Sequence, residues 1–176
     1  MRAFLQIVTV TGCLLASAAC STSDDHDEGA AQCSATFDLD SRAEPLGSSA
    51  ELQRVISARA AQPGTYSLRT LTEAAGWAGQ WDRLVMASSG MPAERLSSVA
   101  GTPGYCWSNL PSFKFDYTVH NFYIFVTGST PTQVIRNLQG SELFIGVHSG
   151  DVLEPDSSFQ SVQPPINKPY LELAQG

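Results

Sequence analysis

The first twenty residues, MRAFLQIVTVTGCLLASAAC, constrain this chain more than any other segment, because they determine where the rest of it folds. One cation, Arg2, precedes an apolar stretch, and small residues follow at positions 17–19. This order of charge, apolar run and small side chains is typical of a secretory signal peptide. The apolar stretch is shorter than the roughly 20 residues that span a bilayer. We therefore expect export, with no transmembrane helix in the mature protein.

The end of this segment indicates how the protein is held after export. The sequence SAAC at positions 17–20 resembles the lipobox of bacterial lipoproteins. The resemblance implies that residues 1–19 are removed as the signal peptide and that Cys20 carries lipid as the first mature residue. The protein would then be anchored to the membrane outside the cytoplasm, at the outer membrane in a Gram-negative cell. Ordinary secretion, with ASA at positions 16–18 as the cleavage site, is the alternative.

An acidic segment follows the predicted lipid site. Residues 20–32 have no apolar periodicity and contain the run DDHDE. Such a stretch cannot offset its ordering entropy by burial, so we predict a flexible tether. The carboxylates and His26 could bind a divalent cation weakly. We favour a solvating linker, and we predict no metal site and no cofactor.

The composition limits the size of the fold and its partners. The chain has 176 residues, of which 43% are hydrophobic, which allows one ordinary domain and excludes a wholly disordered chain. It has 10 Lys and Arg against 17 Asp and Glu, a formal charge of −7. Because nucleic-acid binders neutralise phosphates with cations, this balance argues against a nucleic-acid partner.

Two cysteines remain after the signal peptide and the lipid site are set aside. In an oxidising compartment Cys33 and Cys106 are predicted to form a disulfide, which would stabilise the fold by about 4 kcal/mol in a loop-entropy treatment. Two buried free thiols are the alternative. Neither cysteine belongs to a C-x-x-C pair, which argues against a zinc site.

Helix signals are concentrated in the first half of the chain. Ser48 and Glu51 form a capping box that predicts a helix over 49–61. A second capping box at positions 70–73 predicts a short helix that Gly76 ends, and a third helix is predicted over 92–100.

Strand signals are concentrated in the second half. The segments predicted to be strands are 35–39, 84–86, 113–119, 122–127, 133–136 and 143–147. This order favours an α+β fold, with two or three short helices packed on one face of an antiparallel sheet. We predict a single domain over 33–155 and a Pro-rich, extended and loosely packed tail over 156–176.

The segment GQWDRLVM at positions 79–86 resembles one found in small uncharacterised bacterial lipoproteins. In those proteins a Trp-Asp-Arg-Val strand precedes a helix, and a hairpin ends in an aromatic Ile-Phe-Val strand, here 123–126. The likeness spans about residues 70–140. It implies a location and a fold but no reaction.

No catalytic residue is predicted. The chain contains no G-x-S-x-G, S-x-x-K, P-loop or H-E-x-x-H motif. His148, Ser149 and Asp151 lie close in sequence, but His-Ser-Gly-Asp is ordinary turn composition. His120 falls on the polar face of its predicted strand, where an exposed or hydrogen-bonded side chain is the favoured interpretation.

Four residues are candidates for a ligand surface: Trp77, Trp81, Arg83 and Trp107. With Tyr105, the tryptophans could bind a sugar or a peptide, although core packing is the favoured interpretation. Arg83 is predicted to pair across strands with Asp116 or Glu142, and a ligand-binding arginine is the alternative.

These features predict a membrane-anchored, non-enzymatic lipoprotein that binds a protein or a glycan of the cell envelope. One alternative is an envelope hydrolase that uses His120, His148 or Asp151. Another is an inhibitor or immunity-like protein that acts on cell-wall enzymes.

Overall fold

The computed structural model describes residues 33–111, 119–138 and 140–174, which form three helices and nine strands. The helices are α1 (Ser49–Ala60), α2 (Leu68–Ala74) and α3 (Ala93–Ala100). The strands are β1 (Ala35–Asp38), β2 (Thr65–Ser67), β3 (Arg83–Ser88), β4 (Tyr105–Ser108), β5 (His120–Thr127), β6 (Thr130–Leu138), β7 (Val152–Leu153), β8 (Ser158–Val162) and β9 (Tyr170–Leu173). The predicted signal peptide, Cys20 and the tether lie outside the described residues, as does most of the predicted strand 113–119.

The helices begin and end at residues that satisfy their free backbone groups. The Ser48 hydroxyl accepts a hydrogen bond from the Glu51 N–H at 3.3 Å, which confirms the predicted start of α1. Helix α3 ends at Gly101, whose φ of 61° is the left-handed conformation of a helix C-cap, as predicted. The predicted start of α2 is wrong. Ser67 caps α2 by accepting from the Thr70 N–H at 3.2 Å, so the helix begins three residues earlier.

A four-stranded antiparallel sheet lies at the centre of the domain, with strand order β6-β5-β3-β7. In its register Ile124 pairs with Val85 on one side and with Val134 on the other. Strand β5 is buried along nearly its whole length. Such a continuous apolar run is expected of a strand that is covered on both faces.

Alternate residues of the central sheet enter two separate cores. Tyr123 and Phe125 face α1, α2 and a second sheet of order β2-β8-β9. Phe122 and Ile124 face α3 and the parallel pair β1-β4. The α+β class with helices from the first half is confirmed, but the helices lie on both faces of the sheet rather than on one.

A disulfide joins Cys33 to Cys106 across 73 residues, with 5.5 Å between their Cα atoms, as predicted. Strand β1 begins two residues after Cys33, and Cys106 lies in β4, which pairs with β1. The bridge therefore fixes the start of the described fold to its body.

The prediction of a loosely packed tail from residue 156 is wrong. Strands β8 and β9 pair with each other, and Phe159 and Leu171 are both fully buried in the core beneath α1. The domain therefore continues to residue 174 rather than 155. The predicted strand 143–147 is also wrong, because this segment makes only an isolated bridge from Ile145 to Glu172.

Within the described residues, no helix has the length and the apolar character that crossing a bilayer requires.

Candidate functional site

A groove runs between helix α1 and the edge strand β6. It consists of two adjoining clefts of about 640 and 610 Å³, which share four lining residues: Gln53, Arg136, Asn137 and Leu138. We call it the α1–β6 groove. Its first cleft is closed by the connection 39–44 and its second by the segments 140–143 and 168–171. These volumes fall in the range of small-molecule sites.

The groove forms because α1 and β6 each pack one face into the core. Side chains at the edge of each packed face line the cleft between the helix and the strand. The apolar stripe of α1, which includes Leu52 and Ile56, packs into the core. Gln53 is left on the groove side. The Gln133 side chain ties β6 to the segment before α1 by accepting from the Leu46 N–H at 3.0 Å and donating to the Gly47 carbonyl at 2.9 Å.

Arg136 lies at the junction of the two clefts and organises the polar groups there. Its Nε donates to His120 Nδ1 at 3.1 Å, and its Nη2 lies 3.1 Å from His120 Nε2. Its Nη1 pairs with a carboxylate oxygen of Asp40. His120 is only 7% exposed, and its backbone N–H donates to the Ser89 hydroxyl at 2.9 Å. His120 is thus hydrogen-bonded, which is one of the two predicted environments, and it is buried rather than exposed.

Other acidic groups of the groove are also satisfied by the protein. Glu44 accepts a hydrogen bond from the Ser49 N–H at 2.8 Å. Glu142 accepts one from the Gly140 N–H at 2.9 Å.

Two cations of the groove, unlike these acids, are not bonded to another group among the described residues. Arg42 lines the first cleft and Lys168 the second. Neither has a hydrogen-bond or ion-pair partner in the part of the chain that the structure describes.

The four residues predicted as a ligand surface do not come together on one face. Trp77 is buried, donates from Nε1 to the Ser48 carbonyl at 3.1 Å and has its ring centroid 4.7 Å from that of Phe125. Trp81 packs edge-on against the same phenylalanine at 5.2 Å. Trp107 belongs to the opposite core, where its Nε1 donates to the Ser97 hydroxyl at 2.8 Å. Core packing is therefore the main role of these tryptophans.

Trp107 and Tyr105 also reach the surface. They line a separate cleft of about 600 Å³ between α3 and β4, beside the disulfide. This cleft is lined mainly by apolar atoms, and the α1–β6 groove lies elsewhere on the domain.

Arg83 does not form the predicted cross-strand ion pair. Its Nε and Nη2 both donate to the Ala100 carbonyl, at 2.9 and 2.6 Å, and Nη2 also donates to the Gly128 carbonyl. The guanidinium thus satisfies the C-terminal end of α3, where a positive charge is favourable. Of the two predicted partners, Glu142 bonds to Gly140 instead, and Asp116 lies outside the described residues.

The His148 segment is a turn, as predicted. The His148 N–H donates to Asp151 Oδ2 at 2.7 Å, and the Asp151 N–H donates back to the His148 carbonyl at 2.9 Å. The His148 side chain is 81% exposed and its Nδ1 lies 3.7 Å from that carboxylate oxygen. No group of three or more metal-ligating side chains occurs among the described residues.

Sequence reasoning missed the groove. Asp40 and Arg136 are 96 residues apart, so no local pattern joins them. The only local signal was the position of Arg136 at the end of the apolar run VI in β6, since a cation there needs a partner.

No protein-family model, no curated protein and no solved structure matches this chain.

Proposed function

We propose that the protein is an extracytoplasmic lipoprotein, anchored to the membrane through Cys20, whose domain binds a component of the cell envelope in the α1–β6 groove. The location is supported by the signal peptide and the lipobox resemblance. The observation that carries the binding role is the groove itself, with a cluster of polar and charged side chains at its centre.

The walls of the groove favour binding because intramolecular contacts already order them in the unbound protein. Helix α1 is capped at its start, and Gln133 ties the preceding segment to β6. Arg136 is held by Asp40 on one side and by His120 on the other. A site that is already ordered loses less conformational entropy on binding, which increases affinity.

A bulky residue in the groove tests this function. Gln53 lines both clefts, whereas Ala58 is exposed on α1 and does not line the groove, so Ala58→Trp is a matched control for Gln53→Trp. Both are made in a Cys20→Ala background, which removes the lipid's own affinity for membranes. Binding of the labelled protein to envelopes from cells that lack it is then measured. We expect Gln53→Trp to reduce binding about tenfold or more and Ala58→Trp to leave it unchanged. Equal binding by both variants would place the interaction outside the groove.

A second candidate function is an envelope hydrolase, because His120 lines the first cleft beside Arg136. The two functions differ in their products. A hydrolase releases soluble fragments from radiolabelled envelopes, whereas a binding module releases none. Release that requires His120 would favour the hydrolase.

A further inference from the structure

We infer that the ligand of the α1–β6 groove is a peptide carrying free carboxylates, which the side chains of Arg42 and Lys168 recognise. The inference rests on the proposed function, because it names the ligand class of the same site. It is supported by a difference in bonding: the acids of the groove have partners in the protein, whereas Arg42 and Lys168 have none among the described residues.

The acids and the cations of the groove are satisfied to different degrees. Asp40, Glu44 and Glu142 each accept a hydrogen bond from the protein. Arg42 and Lys168 have no partner within the described ranges. In a chain with a formal charge of −7, where acids outnumber cations, unpaired cations at a cleft are the groups that a carboxylate would meet.

Most described cations outside the groove are engaged by the protein. Arg54 pairs with Glu51, and Arg69 with Asp156. Arg83 donates to backbone carbonyls, and Arg59 lies over the Tyr66 ring. Arg95 is an exception, since it too has no such partner in the described part of the chain. It lies outside the groove and therefore provides a control.

Arg136 adds donors at the point where the two clefts meet. A guanidinium has five N–H groups. Nε of Arg136 donates to His120 Nδ1 and Nη1 donates to Asp40. Because a neutral imidazole accepts at one nitrogen only, the Nη2 beside His120 Nε2 is not counted as a donor to it, and up to three N–H groups remain for a ligand. The Arg136 side chain is 40% exposed and lines both clefts, the first together with Arg42 and the second together with Lys168.

The remaining lining favours a peptide over a polyanion. Gln53 offers an amide that can pair with a peptide backbone, and Leu138 offers an exposed apolar contact. Asn137 Nδ2 and the Ser141 hydroxyl already donate to backbone carbonyls of the protein, at 2.7 and 3.1 Å. The fixed carboxylates of the groove would repel a densely charged phosphate chain, which requires many cations. Residues 134–138 of β6 line the groove and span roughly 15 Å, so the groove can take about four or five residues of an extended peptide.

The test compares one ligand mixture before and after its carboxylates are blocked. The probe is the soluble fraction that a muramidase releases from purified cell wall, whose peptides carry free carboxylates. The comparison mixture has those groups converted to amides. Binding to the full chain with Cys20→Ala is measured by calorimetry at low and high salt.

We expect amidation to weaken binding about tenfold, and Arg42→Gln and Lys168→Gln each to weaken binding of the free acids about threefold. Arg95→Gln should leave it unchanged. The effects of both groove variants should shrink at high salt because exposed ion pairs are screened.

Each other outcome overturns a defined part of the proposal. Equal binding of acids and amides, still abolished by Gln53→Trp, would exclude carboxylate recognition and leave the groove as the site. Groove-dependent binding to envelopes with no binding of the wall fragments would likewise exclude this ligand class. If Gln53→Trp weakens binding to no material, both the ligand class and the proposed function are wrong.

Discussion

Two hydrogen bonds stabilise the charged form of the Asp38 carboxylate. Oδ1 accepts from Asn109 Nδ2 at 2.7 Å and from the Asp40 N–H at 2.9 Å. These bonds, that from Asn109 foremost, hold the pKa of Asp38 below its ordinary value. A lowered pKa in the folded state adds stability above the unfolded pKa, and that stability is lost as the pH falls through the folded pKa.

Replacing Asn109 by glycine tests this assignment. Asn109 has a φ of 59°, which glycine adopts without strain, so Asn109→Gly removes the amide and keeps the backbone. We expect the pKa of Asp38 to rise toward its ordinary value, as measured by carboxyl NMR titration. An unchanged pKa would show that Asn109 does not lower it.

At the scale of elements, the hairpin of β8 and β9 contributes to the core although its composition predicts a tail. Its prolines at 164, 165 and 169 lie in the connection between the strands, where no ladder hydrogen bond is required. The strands themselves carry Phe159 and Leu171 into the core under α1.

Two matched substitutions in this hairpin compare the contribution of a core side chain and of a surface side chain to the free energy of unfolding. Leu171 is 0% exposed and Ile166, in the connection, is 92% exposed. We expect Leu171→Ala to lower the free energy of unfolding by about 2 to 5 kcal/mol and Ile166→Ala to change it by less than about 0.5 kcal/mol. Urea denaturation measures both. Similar small effects would mean that this hairpin does not belong to the folded core.

The sequence predicted elements whose signals are local and missed those that depend on distant partners. The caps at Ser48 and Gly101 act within a few residues, so α1 and α3 were predicted closely. Strand β9 pairs with β8 across a proline-rich connection, and those prolines led to the prediction of an extended tail instead of a sheet. The sequence predicts a carboxylate partner for Arg83, because no sequence pattern indicates that its guanidinium binds backbone carbonyls instead. The groove depends on Asp40 and Arg136 meeting across 96 residues, which only the tertiary fold provides.

At the scale of the whole molecule, the disulfide and the predicted lipid act on the same end of the domain. Cys33 follows the predicted tether directly and is bonded to Cys106 in β4. Lipid at Cys20 would therefore hold a domain whose first described residue is fixed to its body. The acidic tether predicted over residues 20–32 would link that domain to the membrane.

The most direct test of the anchored lipoprotein is the intact mass of the protein purified from its native cells. We expect a chain that begins at Cys20 and carries the added mass of a diacylglyceryl group, with fatty-acid labelling lost in Cys20→Ala. A chain that still begins at Met1, or a shortened chain without lipid, would contradict membrane anchoring through this cysteine.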